Sequence, residues 1–298
     1  MLGVISPAST PQAVTVELGI DALHALGYRT KVYPHALDRG PLYYAGIVAD
    51  RVADLHAAFA DPEVDGVVCT RGGWGSAELL PLLNRALIQA NPKPFLGYSD
   101  LTTLHLWLRN VVGMVSFQAP MVAADFSKAD GVDVASWKAA LEGTAAWSLG
   151  PESGLRVLRP GIAEGELSGG CLAIYAESLG TPWSAINHGG VLMLEDINVK
   201  PFQWDRMLVH LRLAGLLEGV QGICFGDMRL GRSEEEQAAL EASLLHALSD
   251  FEGPIAIGLR SGHVDLGNIT LPFGVRVRLD LTDRANPQLH FLESAVQV

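Results

Sequence analysis

A chain of 298 residues, 49% of them hydrophobic, can bury the core of one large or two medium domains, which excludes a protein dominated by disorder. A net charge of −12, with 21 Lys and Arg that form no dense cluster, excludes a nucleic-acid or anionic-membrane surface and favours a small soluble substrate. The opening "MLGVISPAST" has no basic n-region or apolar h-region, and no later stretch approaches the roughly eighteen uninterrupted apolar residues of a membrane span, so the sequence reads as cytoplasmic.

The first half alternates short β-branched runs with helical patterns, the signature of a parallel sheet covered by helices. "GVISP" reads as a strand. Thr10 is the expected cap of a helix with Pro11 at its first position, running through Leu18 and Leu23 to Gly27 as its stop. "TKVYP" is the second strand. Apolar residues at Val52, Leu55 and Phe59 give the stretch Asp50 to Phe59 the stripe of a surface helix. "DGVVCT", "FLGYS" with the helix after it, and "GMVSF" continue the cycle.

From about residue 122 to 160 the sequence turns polar and rich in Gly and Pro, broken by one helical stretch near Val134 to Leu141, and reads as the passage between domains. Beyond it come "GVLMLED", a helix over Asp205 to Leu217, "VQGICFG", a helix over Glu234 to Leu248, and "PIAIGL". "ITLPFGVRVRLDL" and "QLHFLE" then alternate like antiparallel strands. The fold class is therefore α/β: a parallel-sheet domain over residues 1–150 and a mixed domain rich in β structure over 151–298. Cys69, Cys171 and Cys224 are far apart in apolar runs, which suits reduced core residues rather than a disulfide or zinc framework, and no metal is expected.

In open parallel sheets, ligands gather beyond the carboxyl ends of the strands. Two stretches fall there: "TRGGWGS" after Cys69 and "GYSD" after Gly97. Glycines at 72, 73 and 75 let a backbone point amides at a ligand, but without the ending of a P-loop or the G-x-G-x-x-G spacing they give little support to a nucleotide. Ser99 has two readings. A serine before a helix is most often a cap that accepts a backbone N–H. A serine on a tight turn after a buried strand is also how a nucleophile elbow projects a hydroxyl, although Leu101 stands where the second glycine of G-x-S-x-G would be.

A serine hydroxyl needs a neighbouring base, usually a histidine held by a carboxylate. Five of the nine histidines (24, 56, 105, 210 and 246) fall in helical patterns and read as surface or packing residues; His35 and His290 lie in or beside strand-like runs, and His188 in a loop. His263 differs, because "GLRSGHVDLGN" is a polar, Gly-flanked loop after an apolar strand. Glu195 closes the apolar "GVLMLE", where an acid is rarely present for packing alone.

Six blocks in order, "TRGGWGSAELLPLL", "GYSDLT", "GELSGGCLAIYAESLGTPW", "LEDINVKPFQWDRMLVHL", "GICFGDM" and "GHVDLGNITLPFG", resemble the LD-carboxypeptidase family of serine peptidases, which includes murein tetrapeptide carboxypeptidases and microcin C immunity hydrolases. The resemblance runs from near residue 3 to about 275. It implies a triad of Ser99, Glu195 and His263, an N-terminal domain like that of class I glutamine amidotransferases, a β-rich C-terminal domain, a homodimer, and no cofactor. The amides of Gly73 and Asp100 are assigned to the oxyanion hole, Arg71 to a substrate carboxylate, and Trp74 to substrate binding.

The implied activity is hydrolysis of the amide joining an L-configured diamino acid to a terminal D-alanine in murein tetrapeptides during cell-wall recycling. The alternatives are an aminoacyl-nucleotide amide of the microcin type, with Trp74 or Trp183 stacking on a base, and a non-catalytic small-molecule binding protein. Three departures from the family pattern bear on substrate preference: Gln118-Ala119-Pro120 stands in place of a His-Gly-Pro block, Cys171 where Asn often follows the double glycine, and Val199-Lys200 where an acid is usual.

Overall fold

β-Branched and apolar runs form the strands of two sheets. The computed structural model describes residues 1–186, 188–228 and 233–296. It divides into one unit of Met1–Trp137 with Leu266–Leu271 and another of Lys138–Asp265 with Pro272–Val298. The break after Trp137 lies within the stretch 122–160 that reads as the passage between domains, ahead of the boundary drawn at residue 150.

In the first unit, β1 (Leu2–Ile5), β2 (Thr30–Val32), β3 (Gly66–Cys69), β4 (Phe95–Gly97) and β5 (Ser116–Gln118) pair in the order β5-β4-β3-β1-β2, every pairing among them parallel. Helices α1 (Ala13–Ala25), α2 (Val48–Ala60), α3 (Arg85–Ala90) and α4 (Thr102–Trp107) connect them. The order reverses between β1 and β3, so the loops leaving these strands and β4 diverge around a crevice of the kind that holds ligands in open α/β sheets. Val4, Val67, Val68, Phe95 and Leu96 are fully buried, as a sheet covered on both faces requires.

Thr10 does not cap α1. The helix starts after Gln12 without a side-chain cap, and the Thr10 hydroxyl instead donates to the Tyr44 carbonyl at 2.7 Å. Gly27 ends the helix as expected, with φ of +93°.

The chain leaves this unit within α5 (Val134–Leu141). In the second unit β6 (Trp147–Leu149), β7 (Arg156–Arg159), β8 (Ile162–Cys171), β9 (Gly190–Glu195), β10 (Val220–Gly226), β11 (Ile255–Leu259), β13 (Arg276–Asp280) and β14 (Gln288–Phe291) form a sheet in the order β6-β14-β13-β8-β9-β10-β11-β7. Its centre, β8 to β11, is parallel and its flanks are antiparallel. The strand between β11 and β13, β12 (Leu271–Phe273), sits beside β5 in the first sheet, so the run "ITLPFGVRVRLDL" is shared between two sheets, while β13 and β14 pair antiparallel as their alternation predicts. Helices α6 (Leu172–Glu177), α7 (Pro201–Leu213) and α8 (Glu234–Ala247) complete the unit. The sequence places α7 four residues too late, because Pro201 occupies the first turn, where a missing N–H costs nothing, and Gln203 accepts from the Lys200 amide at 2.9 Å. Among the described residues, no helix is long and apolar enough to cross a membrane.

β8 and β9 approach closely because β8 carries glycine at 169, with φ of +139°. A Cβ there would stand 1.7 Å from the Met193 carbonyl oxygen. Gly169→Ala should lower the stability of the protein by at least about 3 kcal/mol, more than ordinary overpacking, as read from urea denaturation; an unchanged midpoint would contradict this account of the β8–β9 contact.

Candidate active site

In the first unit, Ser99 lies two residues past β4 in the left-handed region, at φ of +66°. A non-glycine residue held there costs on the order of 1–3 kcal/mol and is tolerated only where its surroundings over-determine it. α4 is entered through Leu101 without a side-chain cap, and Ser99 lies in the single 3-10 turn that precedes it. A sharp turn of this kind after a buried strand has the backbone form of a nucleophile elbow.

Neighbouring groups fix this turn. Gly72, in the loop after β3, lies so close that a Cβ there would come within 2.9 Å of the Ser99 Cβ. Asp100 is buried, and its carboxylate accepts from the Ser76 amide at 2.9 Å while its carbonyl accepts from the Ser76 hydroxyl at 2.7 Å, tying the "RGGWGS" loop to the serine turn. His105 on α4 donates from Nε2 to the Gly97 carbonyl at 2.8 Å and accepts at Nδ1 from the Ser116 hydroxyl at 2.9 Å. Burial holds this imidazole neutral, with its pKa lowered to about 4.

Gly73 has φ of +115°, and a Cβ on it would collide with Ser9, whose Oγ accepts from the Trp74 amide at 3.1 Å. Arg51, buried on α2, donates from Nη1 to the carbonyls of Pro7 and Gly75, and from Nη2 to Glu78 at 2.6 Å. Arg71 is exposed, and Trp74 is 59% exposed with its ring 6.0 Å from that of Tyr43. Both assigned binding residues therefore present their side chains to solvent on a loop whose backbone is tied down.

In the second unit the structure brings Glu195 and His263 together. Glu195 ends β9 with its side chain 2% exposed, and its Oε2 accepts from His263 Nδ1 at 2.8 Å and from the His263 amide at 3.1 Å. Two glycines make room for it: a Cβ at Gly262 would lie 2.4 Å from the Glu195 Cδ, and one at Gly226 2.6 Å from its Cβ. A carboxylate can only accept, so the proton of this bond sits on His263 Nδ1, and in the neutral ring the lone pair is then on Nε2. The other Glu195 oxygen, Oε1, is buried and makes no hydrogen bond among the described residues, uncompensated polarity of a kind that calls for an explanation in a native fold.

Asp196, next in the chain, accepts from the Ala173 amide at the start of α6 at 2.8 Å and from the Ile197 amide at 2.8 Å. Burial, and then the charge of Glu195, push its carboxyl up to about 6. The three cysteines are buried and in no disulfide. Elsewhere, His35, Asp38 and Asp50 bring possible ligand atoms within 4.8 Å of one another, with the His35 ring paired to Asp38 at 2.8 Å.

Ser9, Arg51, Ser76 and Asp196 are not among the residues that the sequence singles out. Arg51 had a visible signal, a cation inside the apolar stripe of a surface helix; hydroxyls that serve loop backbones leave none.

The profile of the LD-carboxypeptidase N-terminal domain matches residues 2–119, and that of the LD-carboxypeptidase C-terminal domain matches residues 164–279. A Streptomyces coelicolor relative whose name carries the word carboxypeptidase is 37% identical over 94% of this chain and 90% of its own. A Bacillus subtilis relative whose name refers to a murein peptide carboxypeptidase is 34% identical over 95% of this chain and 89% of its own. The crystal structure of muramoyltetrapeptide carboxypeptidase from Oxalobacter formigenes superposes with a TM-score of 0.84 at 27% identity, covering 98% of this chain and 99% of that one. The chain belongs to the LD-carboxypeptidase family and is a hydrolase of the serine carboxypeptidase type.

The raised pKa of Asp196 has a consequence for stability. The folded protein binds this proton more tightly than the unfolded chain does, so the stabilisation is complete below the ordinary value of 3.8 and is lost as pH rises through about 6. Asp196→Asn lacks this dependence. Relative to the parent, its stability should therefore improve by about 1–3 kcal/mol between pH 4 and pH 7.5 in urea denaturation, and a pH-independent difference would contradict the burial account.

Proposed function

We propose that the chain is a carboxypeptidase of murein tetrapeptides, cleaving the amide between an L-configured diamino acid and the terminal D-alanine. The observation that carries this reading is a pair of specialised geometries, a serine held in the left-handed region behind a buried strand and an imidazole whose Nδ1 is fixed on a buried glutamate. Ser99 Oγ attacks the carbonyl carbon while His263 Nε2 takes its proton. Glu195 holds the ring and stabilises the imidazolium that forms. The imidazolium then protonates the leaving D-alanine nitrogen as the C–N bond breaks, leaving an acyl group on Ser99. Water, deprotonated by the same imidazole, releases the shortened peptide and restores the serine.

The amides of Gly73 and Asp100 receive the oxyanion, a contribution of about 3 kcal/mol per donor in comparable enzymes. Arg71, exposed beside them in sequence, supplies a guanidinium suited to the terminal carboxylate. The name of the Bacillus subtilis relative supports a peptide substrate over an aminoacyl nucleotide. A cytoplasmic place in cell-wall recycling and a homodimeric state belong to the same reading.

Ser99→Ala should cut release of D-alanine from a murein tetrapeptide by at least about a thousandfold, followed by mass analysis of the products. Retained turnover would remove Ser99 as nucleophile, and faster hydrolysis of an aminoacyl adenylate mimic in parallel assays would replace the substrate assignment. Glu195→Gln should lower kcat by a comparable factor, because an amide can present an N–H to Nδ1 and favour the wrong tautomer. A kcat within twofold of the parent would exclude Glu195 from that role.

A further inference from the structure

Asp125 stands outside the groups assigned above, yet it is a carboxylate only 1% exposed in the segment that follows β5. Its Oδ2 accepts from the Met121 amide at 2.9 Å, and its Oδ1 accepts from the Tyr98 hydroxyl at 3.3 Å and from the Asn268 side-chain amide at 3.2 Å. Each partner is placed where it matters. Tyr98 immediately precedes Ser99. Asn268 belongs to Leu266–Leu271, the segment by which the chain re-enters the first unit just after His263.

Asn268 is held firmly. Its amide donates to the Gly131 carbonyl at 3.0 Å, its carbonyl accepts from the Asp133 amide at 3.0 Å, and the neighbouring Gly267 amide donates to Asp130 at 2.7 Å. Gly131 has no room for a side chain, since a Cβ would stand 2.2 Å from the Asp125 carbonyl oxygen. Asp125 is itself pinned by its own amide, which donates to Met121 at 3.0 Å.

A buried carboxylate is costly unless its oxygens are satisfied, and one satisfied by three separate stretches of chain fixes them relative to one another. Burial pushes the Asp125 carboxyl up to about 6, so the polar cluster carries a real desolvation cost. Core packing has no need of such a group: an apolar side chain would fill the space without that cost.

Given Ser99 as nucleophile and His263 as base, we propose that Asp125 is a positioning residue, holding Tyr98 beside the nucleophile and the segment behind the base in one fixed arrangement. It touches neither substrate nor reacting atoms and acts through the two residues it binds. Tyr98→Phe removes one hydroxyl, Asn268→Ala one amide, and Asp125→Asn replaces the acceptor shared by both.

The test is a double-mutant cycle on the full chain, read as kcat and KM for a murein tetrapeptide and as the rate of Ser99 labelling by a fluorophosphonate. Tyr98→Phe, the least disruptive change, should lower kcat and the labelling rate about tenfold with KM within twofold, since small misplacements of a reacting group cost rate before binding. Tyr98→Phe combined with Asn268→Ala should lose much less than the product of the single losses, and in the Asp125→Asn background Tyr98→Phe should have no further effect. Unchanged kcat and labelling in Tyr98→Phe, or strictly multiplicative losses, overturn the positioning role and leave Ser99 as nucleophile. Absence of label on Ser99 in the parent protein overturns both. If Asp125→Asn does not fold, the cycle between Tyr98 and Asn268 decides the matter alone.

Discussion

The buried carboxylate of Glu195 sets the terms for the second unit. A glutamate 2% exposed at the end of a strand of wholly buried residues must be met by donors, and the ring and backbone amide of His263 supply two on the same oxygen. That double contact fixes both the place of the imidazole and its tautomer, so one Coulombic and hydrogen-bonding constraint leaves Nε2 as the basic atom. Glycines at 226 and 262 are demanded by the same residue, since a side chain at 262 would overlap the carboxylate and one at 226 would overlap the Glu195 Cβ. A second acid next to the first, Asp196, spends its oxygens on backbone amides, one of them at the start of α6, and leaves the histidine to Glu195.

The first unit follows a different logic, in which loops rather than one ion pair are fixed. The strained backbone of Ser99 persists because its neighbours leave no alternative: Gly72 lies against it, Asp100 is bound to Ser76, and the carbonyl behind it is held by a neutral, buried His105. The glycine loop after β3 gains its rigidity from Ser9 and from the buried Arg51, whose guanidinium spans two carbonyls and a glutamate. Backbone conformations that glycine alone adopts cheaply, at 73 and 75, are thus held by side chains distant in sequence.

Strand and helix periodicity made most of the α/β layout legible, including α5 as an isolated helix in a polar stretch. Errors came where a local signal competed with a tertiary demand. Thr10 looks like a cap because hydroxyls before a proline-led helix usually are, but the loop carbonyl of Tyr44 claims it. Ser99 carries two readings in the sequence, cap and nucleophile, and its left-handed backbone is one that no propensity favours. The last strands alternate like antiparallel strands, and β13 and β14 pair so, but β12 lies beside β5 in the first sheet, a choice of partner that period-two alternation cannot express.

Composition, period and the six ordered blocks by themselves determined the fold class, the family and the identities of Ser99, Glu195 and His263 as residues of interest, because each depends on residue type and local spacing. Only the tertiary structure decided which oxygen of Glu195 meets which nitrogen of His263, that Ser99 is left-handed, and that Arg51, Asp125 and Asp196 are buried and bound. Those facts rest on contacts between residues tens of positions apart, and hydrogen-bond partners at that separation are set by packing, which leaves no periodic trace in the chain.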